Sequence, residues 1–374
     1  MKIVIVVSDP TSGLLQYPVD LALCFQSLGH EVTVLSWTTK GQNPDLYDRI
    51  KASPLRYVVE PSLQYSFSAK ALMSGLRAKP DSTIEPADLL LTFGPLTAWQ
   101  IRRYGKRKAA SLAMIAAMGH DRSSWWKPLL GAALLNRYTT HVGALCHLEI
   151  GRLTDLGVQA KKIVLVHNWV DQDRLVYQTS RLSSAAEVYA KLALPSNRKL
   201  IACLASFQPR KRQDLLIHAF ARLAHQWSGF DLVLAGGGAE RASCEQLVQH
   251  LGLTERVHFV GQLANDDAMS LLSIADIVVH CSNAETFGYS MVEPLYLQKP
   301  TIVTKVGIAW EMEHADVAEV VPPDDLAALE TALNKVMQGG DQIDQRLARS
   351  RQFVIDNFEV NKIAQQILSL KVPS

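Results

Sequence analysis

Two carboxylates eight residues apart, Glu285 and Glu293, bracket the tract Thr286-Phe287-Gly288-Tyr289-Ser290-Met291-Val292. An acid in a loop can accept hydrogen bonds from sugar hydroxyls, and backbone N–H groups at a helix start can hold nearby negative charge. Upstream, Arg210, Lys211 and Arg212 stand in a row. Such cations neutralise phosphate and stabilise charge on a leaving group. Between them lies Gly236-Gly237-Gly238, a turn that lets backbone approach a nucleotide. A cationic loop, a glycine turn and paired acids suit a nucleotide diphosphate joined to a sugar. One Glu would accept from ribose hydroxyls and the other from the sugar.

These groups act together only if the chain brings them to one place. DIVVH (276–280) reads as a strand, Ser282 to Gly288 as a loop, Ser290 to Leu297 as a helix, and Thr301 to Thr304 as another strand. KLIACLAS (199–206) is a strand leading into the cations. DLLIHAFARLAHQW is a helix with Leu216, Phe220, Leu223 and Trp227 on one face. DLVLAGGG (231–238) is a strand running into the glycine turn. Alternating elements of this kind predict a parallel sheet with helices on both faces, and all three groups then lie where strands give way to helices, at one crevice.

The first half has the same rhythm. KIVIVV (2–7) reads as a buried strand, followed by a loop holding Gly13, a helix ending at Gly29 and the strand EVTVL (31–35). This βαβ unit has no GxGxxG, so a tightly cradled dinucleotide is not expected there. ADLLLTFG reads as a strand that leaves Gly94 and Pro95 in a loop. SLAMIAAMGH (111–120) reads as a strand with His120 at its carboxyl end, a good place for a ligand contact. Residues 172–198 turn polar, with Ser180, Ser183, Ser184, Pro195 and Asn197, and read as a domain boundary. The expected division is a first domain over 1–175, a second over 176–355, and a C-terminal helix over 356–374 that packs back on the first.

Composition narrows the function classes. A chain of 374 residues suggests two domains, and a formal net charge of +2 argues against bulk polyanion binding. Cys24, Cys146, Cys203, Cys244 and Cys281 are far apart with no CxxC, so neither a disulfide framework nor a zinc site is expected. Asp171 and Asp173 have DxD spacing, but just after a strand at a domain edge this reads as coincidence, and no metal is expected. MKIVIVVSDP is too short for a signal-peptide core, and no apolar run reaches the roughly eighteen residues that a membrane span needs. The expectation is a cytoplasmic protein. Two features could seat it on an anionic bilayer at the inner face of the cell membrane: the basic run Arg102, Arg103, Lys106, Arg107 and Lys108, and the pair Trp125 and Trp126. The plain alternative is a solvated helix end and a core helix. No base-stacking aromatic array accompanies the charges, so nucleic acid is not an expected partner.

With Glu285-Thr-Phe-Gly-Tyr-Ser-Met-Val-Glu293 as its acid–x7–acid motif, the chain resembles the retaining glycosyltransferases of family 4. LAGGGAERASCEQLVQHLGLTERVHFVGQL, VHNWVD (166–171), SLGHEVTVL (27–35) and FEVNKIAQQIL share the family's style. The resemblance implies the GT-B fold: α/β, with two Rossmann-like doubly wound domains facing a cleft. It implies a nucleotide-sugar donor bound mainly by the second domain. Lys211 falls on the phosphate-binding lysine and Glu285 on the acid that contacts the donor sugar, with the backbone of Phe287 and Gly288 nearby. Glu293 falls on the ribose acid. Arg210, Arg212, Gly236, Gly237 and Tyr289 complete the expected donor set, and Arg210 or Arg212 would replace the arginine that the family has at Ser206. His120 is the first-domain histidine that approaches the sugar, and Gly13 sits in the loop that closes on phosphate and acceptor. The implied reaction is metal-independent and cofactor-free. A hexose moves with retention from a nucleotide diphosphate sugar to a glycan or lipid-linked acceptor, in cell-surface polysaccharide or glycolipid synthesis. Attack is from the same face, assisted by the leaving phosphate, so Glu285 is a positioner and not a nucleophile. The alternatives are a non-catalytic GT-B paralogue that binds a nucleotide sugar or a partner transferase, and a sugar-nucleotide epimerase of similar fold.

Overall fold

Runs of β-branched and leucine side chains set the strands. In the first, Lys2–Val6, every residue after Lys2 is buried. The computed structural model describes residues 1–6, 16–36, 53–59, 83–114 and 126–370, with backbone alone at 16, 17, 107, 126 and 127. The chain divides into two units, Met1–Asp171 with Phe358–Ser374, and Gln172–Asn357.

Among the described residues, the first unit holds seven parallel strands: β1 (Lys2–Val6), β2 (Glu31–Ser36), β3 (Arg56–Val59), β4 (Ala87–Thr92), β5 (Gly105–Met114), β6 (His141–Ala144) and β7 (Ile163–Leu165). Their order is β3-β2-β1-β4-β5-β6-β7, with Ile3 opposite both Val32 and Leu89. The helix Gln16–Ser27 ends where Gly29 adopts φ 82°. The His30 N–H donates to the Phe25 carbonyl (3.1 Å) and that of Gly29 to Gln26 (2.9 Å). This double bond pattern satisfies the last carbonyls of the helix and favours glycine at the left-handed position. The helix Val360–Leu368 packs on Gln16–Ser27, where the Cys24 thiol donates to Asn361 Oδ1 (3.1 Å). The Val360 N–H donates to Val170 and the Val170 N–H to Phe358, so the chain returns to the first unit through paired backbone.

One expectation for this unit changes. Pro95 opens the helix Pro95–Ile101 instead of lying in a loop, because a proline costs nothing at a first helical position, whose N–H has no partner. The basic run is a short turn, Arg102–Tyr104, followed directly by β5. Arg102 donates to the Trp99 carbonyl (2.6 Å), and its guanidinium lies over the Trp99 and Tyr138 rings. Arg103 lies over Tyr104, and Lys106 pairs with Asp88 (2.5 Å). Those three cations are therefore engaged inside the unit. Trp125 and the side chains of Trp126 and Arg107 lie outside the described residues.

The second unit carries β8 (Lys199–Leu204), β9 (Phe230–Ala235), β10 (Val257–Gly261), β11 (Ile277–His280), β12 (Thr301–Thr304) and β13 (Glu319–Val321). They are parallel, in the order β10-β9-β8-β11-β12-β13. Leu216, Phe220 and Leu223 of the helix Gln213–Leu223 pack against Ile201, Leu232 and Ile277 from the sheet. At the start of β9 the fully buried Asp231 is held by Arg256 (2.7 Å), His258 (2.9 Å) and Arg198 (3.3 Å). The stretch 172–198 is helical, with Gln172–Ser180 and Ala185–Lys191. Ser184 accepts from the Glu187 N–H while the Glu187 carboxylate accepts from the Ser184 N–H, a reciprocal cap. The apolar face is thin, with Leu175 and Val188 buried. All five cysteines are buried free thiols. Among the described residues no helix is long and apolar enough to cross a membrane, and no three His, Cys, Asp or Glu side chains cluster as metal ligands.

Candidate functional site

Strand order in the second unit reverses between β8 and β11. In a parallel sheet the connections leaving two such strands run to opposite sides and open a crevice at their carboxyl ends. The cationic loop follows β8, and the Glu285 loop follows β11. The Asn283 N–H donates to the Arg210 carbonyl (2.8 Å), and the Cys281 thiol donates to the Lys211 carbonyl (3.2 Å). These bonds hold the two loops together.

The side chains then meet. The Lys211 ammonium pairs with Glu285 Oε1, and each side chain is only 11% exposed. Arg210 Nη1 lies 3.1 Å from the same oxygen and 3.1 Å from the Ala284 carbonyl. His280 Nε2 lies 3.4 Å from it. Burial alone would raise the Glu285 pKa, but the adjacent His280 and the Lys211 charge outweigh it and hold the carboxyl well below the usual carboxylate range. Lys211, Arg210 and Glu285 are thus brought together as the sequence placed them.

Arg212 is not part of that cluster. Its backbone is left-handed (φ 51°), and its guanidinium is bound by Asp214 (3.0 Å) and Asp324. Asn283 also donates to Asp324 (3.2 Å). The two carboxylates make Arg212 a brace between loops, which leaves Arg210 as the neighbour of Lys211.

The glycine turn packs against the cationic loop. The Phe207 N–H donates to the Gly237 carbonyl (2.8 Å). A Cβ on Gly236 (φ 146°) would sit 2.1 Å from the Ala205 oxygen, and one on Gly238 (φ 145°) 2.3 Å from the Phe207 oxygen. Gly237 has room, its nearest neighbour being Gln262 at 3.7 Å. The outer two glycines are required by neighbouring backbone, whatever binds beside them.

Gly288 caps the helix Tyr289–Tyr296 in the left-handed region (φ 92°). The Phe287 side chain is buried, with its ring 5.0 Å from that of Tyr289. The Phe287 carbonyl accepts from the Ile308 N–H (3.0 Å). Pro294 lies inside this helix. Glu293, one residue earlier, is half-buried, and burial pushes its carboxyl up to about 7 against the opposing charge of Arg174. The two acids therefore differ at neutral pH: Glu285 is ionised and Glu293 is poised to titrate.

Gly13 and His120 lie outside the described residues. Two residues at the site were missed by sequence reasoning. His280 ends an apolar strand and passed as its last member; a polar residue at the carboxyl end of DIVVH was the available signal. Arg174 lay in the stretch read as a boundary.

Comparison with known proteins places this geometry. Residues 185–352, inside the second unit, match the family model described as "Glycosyl transferases group 1". An N-acetyl-alpha-D-glucosaminyl L-malate synthase from Bacillus anthracis is 26% identical over 226 residues, which are 60% of this chain and 57% of that protein. A D-inositol 3-phosphate glycosyltransferase from Mycobacterium tuberculosis (strain ATCC 25177 / H37Ra) is 31% identical over 156 residues, 40% of this chain and 31% of that protein. The chain thus spans less than two thirds of the length of these curated relatives. The crystal structure of Anabaena Alr3699/HepE in complex with UDP superposes with a TM-score of 0.78 at 20% identity, covering 98% of each chain. By fold the chain is a GT-B protein with two Rossmann-like parallel sheets, and over residues 185–352 its sequence matches the group 1 glycosyl transferases.

Proposed function

We propose that the protein is a retaining glycosyltransferase that moves a hexose from a nucleotide diphosphate sugar to a glycan or lipid-linked acceptor. The observation that carries this reading is the meeting of Lys211, Arg210 and Glu285 at the β8/β11 switch. The Glu285 carboxylate engages both cations. An arriving diphosphate offers them more negative charge, so Lys211 and Arg210 transfer to it and stabilise it as it leaves. Glu285 is then released to accept hydrogen bonds from the sugar. Glu293, on the helix that follows, accepts from the ribose hydroxyls. The cations supply the positive charge, so no metal or cofactor enters this scheme. The relatives point the same way in name: one is a glucosaminyl malate synthase and another a glycosyltransferase acting on inositol 3-phosphate. The protein works in the cytoplasm, in cell-surface polysaccharide or glycolipid synthesis.

The test is a thermal-shift panel with UDP, GDP, ADP and CDP and their common sugars. UDP comes first, because the Anabaena structure of the same fold holds it. A ligand at about a hundred times its Kd should raise the melting temperature by several degrees. A shift with one nucleotide only, followed by acceptor-dependent nucleotide release, is the expected result. No shift with any nucleotide would remove the reading. A shift without turnover would make the protein a non-catalytic binder, and sugar interconversion without acceptor would make it an epimerase.

The Glu293 assignment predicts a pH dependence. Its folded pKa of about 7 lies above the ordinary 4.5. Between those values the folded protein holds a proton that the unfolded chain has lost, so Glu293 lowers stability as pH rises through that window. Accepting two ribose hydroxyls requires the ionised form. Nucleotide affinity should therefore rise about tenfold from pH 6 to pH 8, with proton release on binding at pH 6. Calorimetry in buffers of different ionisation enthalpy reads both. An affinity flat across that range would remove Glu293 from the ribose site.

A further inference from the structure

We propose that His280 is a positioning residue that keeps the Glu285 carboxylate oriented toward the donor sugar after Lys211 and Arg210 have moved to the diphosphate. The proposal rests on the transferase reading above and extends it to a residue outside the expected donor set. Three nitrogens converge on one oxygen, Glu285 Oε1: Lys211 Nζ and Arg210 Nη1 donate to it, and His280 Nε2 approaches to 3.4 Å. Two are side chains on a loop, with a better partner available once the donor binds. The third is fixed. His280 is the last residue of β11, 4% exposed and in register with Val303. Its carbonyl accepts from Thr304 Oγ1 (3.4 Å), and its Nε2 lies 3.3 Å from Ser282 Oγ. When the cations leave, His280 is the member of the trio that stays.

The ring's chemistry suits the role. A lone pair on Nε2 facing an ionised carboxylate would be repulsive, so Nε2 carries the proton and donates it. Nδ1 finds no partner among the described residues. A bare ring nitrogen there costs less than a buried N–H without an acceptor. Burial lowers the His280 pKa, Glu285 raises it, and the Lys211 and Arg210 charges lower it again; the net direction is down, which keeps the ring neutral at pH 7. A neutral donor suits the task, because it can orient Glu285 without competing with the diphosphate for charge. The 3.4 Å contact is long while two cations share the oxygen, and such contacts tighten when substrate completes the site.

The experiment compares His280→Leu and His280→Gln, each with wild-type Glu285 and with Glu285→Gln. The readouts are UDP affinity by calorimetry and kcat and KM with UDP-glucose, or with the nucleotide and sugar selected by the thermal-shift panel. Gln places an N–H at about the reach of Nε2, whereas Leu fills the space without one. His280→Leu should bind UDP like the parent but lose about tenfold in kcat/KM, and His280→Gln should recover most of it. In the Glu285→Gln background His280→Leu should cost nothing more, since its effect passes through Glu285. Any of three results overturns the proposal: unchanged kcat/KM in His280→Leu, His280→Gln as poor as His280→Leu, or losses that multiply in the double variant. Lost UDP affinity in His280→Leu would make the residue structural and also overturn it. A parent protein that neither binds nucleotide nor transfers sugar would bring down the transferase reading itself, a different outcome from a working parent with an indifferent His280.

Discussion

Lys211→Ala should lower kcat/KM for the sugar donor by roughly ten- to a hundredfold, because a charge-assisted hydrogen bond to phosphate contributes about 1.5–3 kcal/mol. Lys211 is almost buried and aims its ammonium into the crevice at Glu285. Arg210 reaches the same oxygen but is 45% exposed, so its charge is better screened by water and cannot replace Lys211 in full. The loss should fall on donor binding and on the transition state together, since charge on the departing diphosphate grows as the bond to the sugar breaks. Lys211→Arg should not rescue it, because a planar fork does not fit a position built for a compact ammonium. Steady-state kinetics with the donor selected by the nucleotide panel gives the answer. Unchanged efficiency in Lys211→Ala would sink the assignment of Lys211 as the phosphate cation.

The largest expected effect on stability is at the other end of the sheet. Arg256→Ala should cost the protein about 3 kcal/mol, because it leaves the buried Asp231 carboxylate without its main cation. Arg256 Nε donates to Asp231 (2.7 Å), and the same guanidinium reaches the Phe230 and Trp227 carbonyls and lies over the Phe220 ring. His258 and Arg198 remain, but Arg198 lies farther away at 3.3 Å. Urea unfolding should show a lower midpoint for the transition of the second unit. Nucleotide affinity should hardly change in the folded variant, because Asp231 opens β9 whereas the glycine turn follows its end. A loss below about 1 kcal/mol would mean that the cluster behaves as an exposed pair.

The parts of this molecule that could be read from sequence share a physical cause. Strands buried on both faces appear as unbroken apolar runs, so β1, β8, β9 and β11 were found close to their ends. Lys211 and Glu285 were legible because the order of strands and loops in a parallel sheet carries them to the same edge. The helices over 172–191 were not, because each buries little and Ser184 serves as a cap. The role of Arg212 depends on Asp324, a partner far along the chain that no local pattern announces. The outer glycines were recognised as a turn, but the cause of their strictness, backbone oxygens of the preceding loop, is a tertiary fact.

The division of the chain has a consequence for its biosynthesis. The second unit is one continuous segment, Gln172–Asn357, whereas the first draws on both sides of it. The helix Val360–Leu368 that rests on Gln16–Ser27 therefore leaves the ribosome only after the whole second unit has emerged. The second unit can fold while the first still lacks a piece, and the face of Gln16–Ser27 that this helix covers waits until the helix emerges. The first unit, not the second, is the one that a chaperone would have to shield and that a stop codon ahead of Val360 would damage.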